Sequence, residues 1–261
     1  MPFADPSAES LLRLVSLAGR GVIVTGAGQG LGLAIAQRAV EAGASVLIVD
    51  RDGERAQRAA SALDAESSVC DVTDSNQVEQ MMTVARRVLP NVYGLVNNVG
   101  IFSPAASAAD MSDDVWRQII EVGLTSAFYC SRAFARGADP SIGGSIVMNG
   151  SIESVRGRPK LAHYTAAKFG MVGLAQTLAI DFGAHNIRVN VIGPGLVATE
   201  STASSPFVSD PQQRADWGAA LPAGRMAVPD DVARVALFFL SDLSAFVTGT
   251  TLLVDGGERA G

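Results

Sequence analysis

The chain has 261 residues, 48% of them hydrophobic and only 18% charged, with a formal net charge of −6 at pH 7. That acidic balance argues against a nucleic-acid partner, since phosphate binding needs a basic surface. No apolar run reaches the roughly 18 residues of a membrane span. The opening MPFADPSAES has neither the basic nor the apolar region of a secretory signal. Cys70 and Cys130 have no metal-type spacing and form no disulfide framework, so the expectation is reduced thiols, a cytoplasmic setting and no metal site.

Residues 1–18 read as a polar, then weakly helical extension, and residues 19–261 as one domain. Within it, short apolar runs rich in β-branched residues alternate with helical segments. GVIVTG (21–26) reads as a strand and is followed by a helix from Gly30 to about Ala42. SVLIVD (45–50) precedes a helix over Gly53 to Leu63, and SSVCDV (67–72) one over Ser75 to Leu89. YGLVNN (93–98) precedes a long helix, Asp113 to Arg136. GSIVMN (144–149) precedes another, Leu161 to Phe182. IRVNVI (187–192), a helix over Asp230 to Leu240 and TTLLVD (250–255) close the series. Apolar strands alternating with helices predict an α/β fold: a doubly wound parallel sheet covered on both faces. Residues 196–226, rich in Ser, Ala and Pro, have no clear period and read as a lid.

TGAGQGLG (25–32) lies between the first strand and the first helix. Gly26, Gly30 and Gly32 permit a sharp turn and close approach of the backbone to a pyrophosphate, which the helix N-terminus would attract. The spacing departs from the usual G-x-G-x-x-G, and a glycine turn alone also suits a merely tight connection. Asp50 ends the second strand, where a carboxylate can accept hydrogen bonds from the adenosine ribose and repel a 2′-phosphate; this favours NAD(H). Arg51, next to it, keeps NADP(H) open.

HYTAAKFG (163–170) sets Tyr164 and Lys168 four apart, on one helix face. A phenol with an ordinary pKa near 10 is a poor base at neutral pH, and a nearby ammonium favours the phenolate. Ser151 lies 13 residues earlier, just past the fifth strand.

With these residues the pattern resembles the short-chain dehydrogenase/reductase family. The matching motifs, in family order, are TGAGQGLG, Asp71 in CDV, NNVG (97–100), Ser151, YTAAK (164–168), PGLVAT (194–199) and LLVDGG. The resemblance implies a single Rossmann-type domain with a seven-stranded sheet, and hydride transfer between a nicotinamide cofactor and an alcohol or ketone. It implies Tyr164 as acid/base, Ser151 as the hydrogen-bond partner of the substrate oxygen, and Lys168 on the nicotinamide ribose. Gly26, Gln29, Gly30, Leu31 and Gly32 would hold the phosphates. Asp71 and Val72 would contact the adenine. Asn98 and Gly100 would lie beside the adenosine ribose and phosphates, and Pro194, Gly195, Val197 and Thr199 would clamp the carboxamide. Gln29 stands where many NADP-using relatives carry a basic residue. A homotetramer, joined through the helices at 113–136 and 161–182 and the last strand, is implied likewise.

One position departs from the pattern. The family usually has an asparagine, holding a relay water, where this chain has Gly123 in IIEVGLTSAF (119–128). In mid-helix a glycine costs about 1 kcal/mol relative to alanine. Close packing, a kink, drift, a rearranged relay with Asn149 as substitute donor, or a cofactor-binding sensor with little turnover are the available readings. Retention of Ser151, Tyr164 and Lys168 favours an oxidoreductase. Substrate contacts are expected from Ile101, Phe102, Ser103, Ile152, Glu153, Arg156 and Arg158. His163 reads as a packing residue and Trp217 as a cap or lid anchor.

Overall fold

A computed structural model of the chain describes residues 5–101 and 105–260. Seven strands form one parallel sheet. They are β1 (Gly21–Thr25), β2 (Ser45–Asp50), β3 (Glu66–Val69), β4 (Val92–Asn97), β5 (Gly144–Asn149), β6 (Ile187–Pro194) and β7 (Thr251–Val254). Their order across the sheet is β3-β2-β1-β4-β5-β6-β7. The chain winds outward from β1 to β3, then returns to place β4 on the other side of β1. The crevice at the carboxyl ends of β1 and β4 is therefore the topological switch point, where ligands of open α/β sheets bind.

Helices cover both faces. On one side α4 (Ser75–Val88), α6 (Ser126–Arg136) and α7 (Ala162–Asp181) enclose a core that includes Ile23, Met81, Phe134 and Met148. On the other, α2 (Gly30–Glu41), α3 (Gly53–Leu63) and α10 (Pro229–Leu240) enclose Val22, Ile35, Ile48 and Phe239. Because both faces are covered, β1 and β6 are buried along their whole length, which is why they read as continuous apolar runs. Leu17, inside the expected N-terminal extension, is fully buried in this second core and donates its N–H to Ala42. The short α1 (Leu11–Val15) before it has no buried residue.

Three expected boundaries shift for identifiable reasons. β3 ends at Val69 instead of residue 72, because the Asp71 carboxylate accepts the Thr73 N–H and hydroxyl and turns the chain. The helix expected over 113–136 is divided into α5 (Asp113–Ile120) and α6 by a π-helical turn, Glu121–Thr125, with Gly123 at its centre. The Ser126 N–H reaches back five residues to the Glu121 carbonyl. The segment 196–226, expected to be a lid without clear period, contains α8 (Pro206–Ser209) and α9 (Pro211–Ala220). Proline opens each, and Asp210 caps α9 by accepting from the Gln212 and Gln213 amides. Only Gly218 of α9 is buried, so the segment has no apolar stripe to betray it.

Candidate active site

A cavity of about 670 Å³ opens at the switch point. The turn after β1 enters it with Gly26 and Gly30 at φ +61° and +59°, conformations that favour glycine. Gly32 packs beneath the turn, where a Cβ would stand 2.4 Å from the Gly26 carbonyl oxygen. Gln29 makes no side-chain cap on α2, unlike Asp52 on α3, Asp74 on α4 and Ser112 on α5. The first N–H groups of α2 are thus left for an anion, the feature that fits a pyrophosphate.

At one end of the cavity Asp50 is buried, accepting the Gly28 N–H on Oδ2 and the Asp52 N–H on Oδ1, each at 3.1 Å. Arg51 and Arg55 line the same end, with Asp71 and Val72 beyond. Arg55 was not anticipated; it lies across Gly28, whose added Cβ would meet its side chain at 2.6 Å. Asp71 is held below the usual carboxylate range, chiefly by the Thr73 hydroxyl.

At the other end the structure brings together Ser151, Tyr164 and Lys168, with Gly100, Gly195, Val197 and Thr199 on the adjoining wall. Lys168 is buried, and its ammonium donates to the Asn149 carbonyl at 2.7 Å. The Asn149 side chain donates to Asn98 Oδ1 at 2.9 Å, and Asn98 Nδ2 donates to the Thr25 and Gly26 carbonyls. Asn149 therefore touches the lysine through its backbone, while its amide is committed to Asn98. Asn149 Oδ1 has no hydrogen-bond partner among the described residues.

Tyr164 is pushed up to about 12, first by burial, with the neighbouring Glu153 carboxylate adding to the shift and a Ser151 hydrogen bond and Arg158 opposing it. The Lys168 nitrogen lies 5.6 Å from the Tyr164 ring centre and donates to the Asn149 carbonyl. Burial pushes the lysine itself down to about 8.

Glu153 is 4% exposed. Its Oε2 accepts the Ser151 hydroxyl at 2.6 Å, and its N–H donates back to Ser151 Oγ at 3.2 Å. Arg158 approaches Oε1 at 3.3 Å and Arg156 at 3.7 Å, and Arg156 also pairs with Glu258. Ile101, Ile152, Arg158, Trp217, Pro194 and Leu31 line the cavity as expected. Phe102 and Ser103 lie outside the described residues. His163 is buried, does not line the cavity, and has no hydrogen-bond partner on either ring nitrogen among the described residues. Gln118, Glu121, Thr202 and Glu258 also line the cavity and were not anticipated. Gln118 and Glu121 come from a helix that reads as an ordinary amphipathic surface, and Glu258 from beyond the last strand. No group of three or more His, Cys, Asp or Glu suited to a metal occurs among the described residues, and no helix there is long and apolar enough to cross a membrane.

Gly123 is buried where the π turn crosses α7; a Cβ would come 3.2 Å from the Ala167 Cβ. The glycine therefore serves a close helix crossing one residue from the lysine.

A family model described as "Enoyl-(Acyl carrier protein) reductase" matches residues 26–258. The 2-(S)-hydroxypropyl-CoM dehydrogenase 3 of Xanthobacter autotrophicus is 36% identical over 246 residues, 92% of this chain and 96% of that protein. A second protein of that organism, named inactive 2-(S)-hydroxypropyl-CoM dehydrogenase 2, is 38% identical over 230 residues, 87% of this chain and 100% of its own. A crystal structure of a gluconate 5-dehydrogenase from Burkholderia cenocepacia, in complex with NADP and tartrate, superposes with a TM-score of 0.89. It shares 32% identity and covers 97% of this chain and 100% of that one. The chain belongs to the short-chain dehydrogenase/reductase family, whose members here are alcohol and hydroxy-acid dehydrogenases and reductases using nicotinamide cofactors.

Proposed function

We propose that the chain is an NAD(H)-dependent oxidoreductase interconverting a secondary alcohol and a ketone, with residues 19–261 as the catalytic domain and 196–226 as its lid. The observation that carries this reading is the convergence of Ser151, Tyr164 and Lys168 on one cavity with the uncapped glycine turn. A bound nicotinamide supplies the hydride acceptor or donor. Tyr164 takes the hydroxyl proton in oxidation and returns it in reduction. Ser151 holds the substrate oxygen. Lys168 binds the ribose and adds positive charge. Phosphates rest on Gly26, Gln29, Gly30 and Leu31 with Gly32 beneath. Asp71, Val72, Asn98 and Gly100 frame the adenosine, and Pro194, Gly195, Val197 and Thr199 the carboxamide.

NAD(H) is favoured because a buried Asp50 carboxylate occupies the ribose end and would oppose a 2′-phosphate. Arg51 and Arg55 pull the other way, and the Burkholderia relative was crystallised with NADP. Steady-state kinetics with both cofactors are expected to give a higher kcat/KM with NAD(H), by about ten-fold or more, and Asp50→Ala to narrow the gap. A higher value with NADP(H) would sink the assignment.

A relative named inactive keeps a second reading in view, a cofactor-binding protein with little turnover. It predicts NADH binding without oxidation of any alcohol, so turnover of a single substrate removes it.

We also propose a homotetramer. Phe246 is 97% exposed and Ile180, on α7, 80%, with Leu252 of β7 half-exposed nearby in the chain; large apolar side chains left in water favour association. Light scattering at micromolar concentration is expected to report four subunits, and a monomer would rule this out.

A further inference from the structure

The Ser151 hydroxyl has one proton; it donates to Glu153 Oε2 at 2.6 Å, while the Tyr164 phenol also hydrogen-bonds Ser151. A ketone bound between Ser151 and Tyr164 requires that same proton. Turning it toward the substrate would leave Glu153 Oε2 buried without a donor, at a cost a charged oxygen makes severe. Arg158 and Arg156 cannot make up the loss, because both approach the other oxygen, Oε1, and at 3.3 and 3.7 Å. A donor carried by the substrate would restore the pairing.

We propose that the substrate carries a second hydroxyl on the carbon next to the reacting one, making it a vicinal diol in one direction and an α-hydroxy ketone in the other. This inference rests on the dehydrogenase reading above. The second hydroxyl donates to Glu153 Oε2 as the Ser151 proton moves to the reacting oxygen, so each acceptor keeps one donor and no net charge moves. Adjacency follows from the 2.6 Å between Ser151 Oγ and Glu153 Oε2, which sets the two recognition points side by side. A neutral donor fits better than an ammonium or a carboxylate. Glu153 and Glu258 are balanced by Arg156 and Arg158, two carboxylates against two guanidiniums. Glu121, from the π turn, Tyr164 and Lys168, both from α7, are the other titratable groups at this end of the cavity.

The test compares oxidation of butane-2,3-diol with butan-2-ol, and of cyclohexane-1,2-diol with cyclohexanol, using NAD+ and NADP+. The wild-type protein is expected to prefer each diol by about ten-fold or more in kcat/KM, since a site built to pair a hydroxyl rejects the analogue lacking it. In Glu153→Leu the preference should collapse toward unity, with mono-alcohol turnover rising as Ser151 regains its proton. If that variant melts before assay temperature, Glu153→Gln decides. Its neutral carbonyl is a weaker acceptor than a carboxylate, so the ratio should fall several-fold. Mono-alcohols oxidised as well as diols by the wild type, or a ratio unchanged in the variant, would overturn the exchange. Absence of oxidation of all four with either cofactor would overturn this inference, while the dehydrogenase reading falls only to a broad alcohol screen without turnover.

Discussion

Tyr164→Phe is expected to reduce alcohol oxidation at least about a hundred-fold while leaving NADH affinity nearly unchanged, because positioned acid/base groups contribute about 10²–10⁴. In the proposed reaction the phenol oxygen exchanges the substrate proton, whereas the glycine turn and Asp50 lie at the opposite end of the cavity. Its protonation adds a pH signature. In the cofactor-free chain burial pushes Tyr164 up to about 12, so its phenolate is scarce at neutral pH. An oxidised nicotinamide brings positive charge to this end and favours the phenolate. Oxidation should therefore accelerate with rising pH, along a profile centred well below the phenolate titration of the free protein. A phenylalanine variant with substantial turnover, or coincident kinetic and spectroscopic titrations, would refute the assignment.

Lys168→Met should abolish turnover and yet stabilise the cofactor-free protein. Burial lowers the lysine from 10.5 to about 8, equivalent to roughly 3 kcal/mol against the charged form. Losing the hydrogen bond to the Asn149 carbonyl offsets about 1 kcal/mol of this. The net, about 2 kcal/mol, corresponds to a melting temperature about 4–8 °C higher at pH 7. The sign follows from linkage. The folded pKa lies below the unfolded one, so the destabilisation is complete below about 8 and vanishes once the lysine is neutral in both states. The advantage of methionine should thus shrink as pH rises from 7 toward 10. A lower melting temperature at pH 7, or a difference that does not vary with pH, would contradict this account.

Much of the molecule was legible because its determinants are local. β-Branched runs gave the strands, and the placement of glycines gave the turn after β1. The four-residue spacing of Tyr164 and Lys168 gave a shared helix face. What escaped depends on side chains meeting across the fold. The Arg156–Glu258 pair spans 102 residues, and no local pattern announces it. The same spacing that joined Tyr164 to Lys168 suggested that the ammonium holds the phenol low. In the cofactor-free chain the ammonium also donates to the Asn149 carbonyl, and burial, a property of the assembled core, is the first cause of the phenol's upward shift. Gly123 was ambiguous in sequence because packing and kinking both call for a small residue; here both occur at once, a π turn pressed against Ala167.

The hydrogen-bonded series from Lys168 through Asn149 and Asn98 to the Thr25 and Gly26 carbonyls joins the two ends of the cavity before any ligand arrives. These groups are fixed by strand ends and by one another, so they surrender little motional freedom when a dinucleotide docks. Residues 196–226, proposed above as the lid, differ in kind: their α9 buries only Gly218, so ordering that segment over a ligand would carry most of the entropic cost of binding.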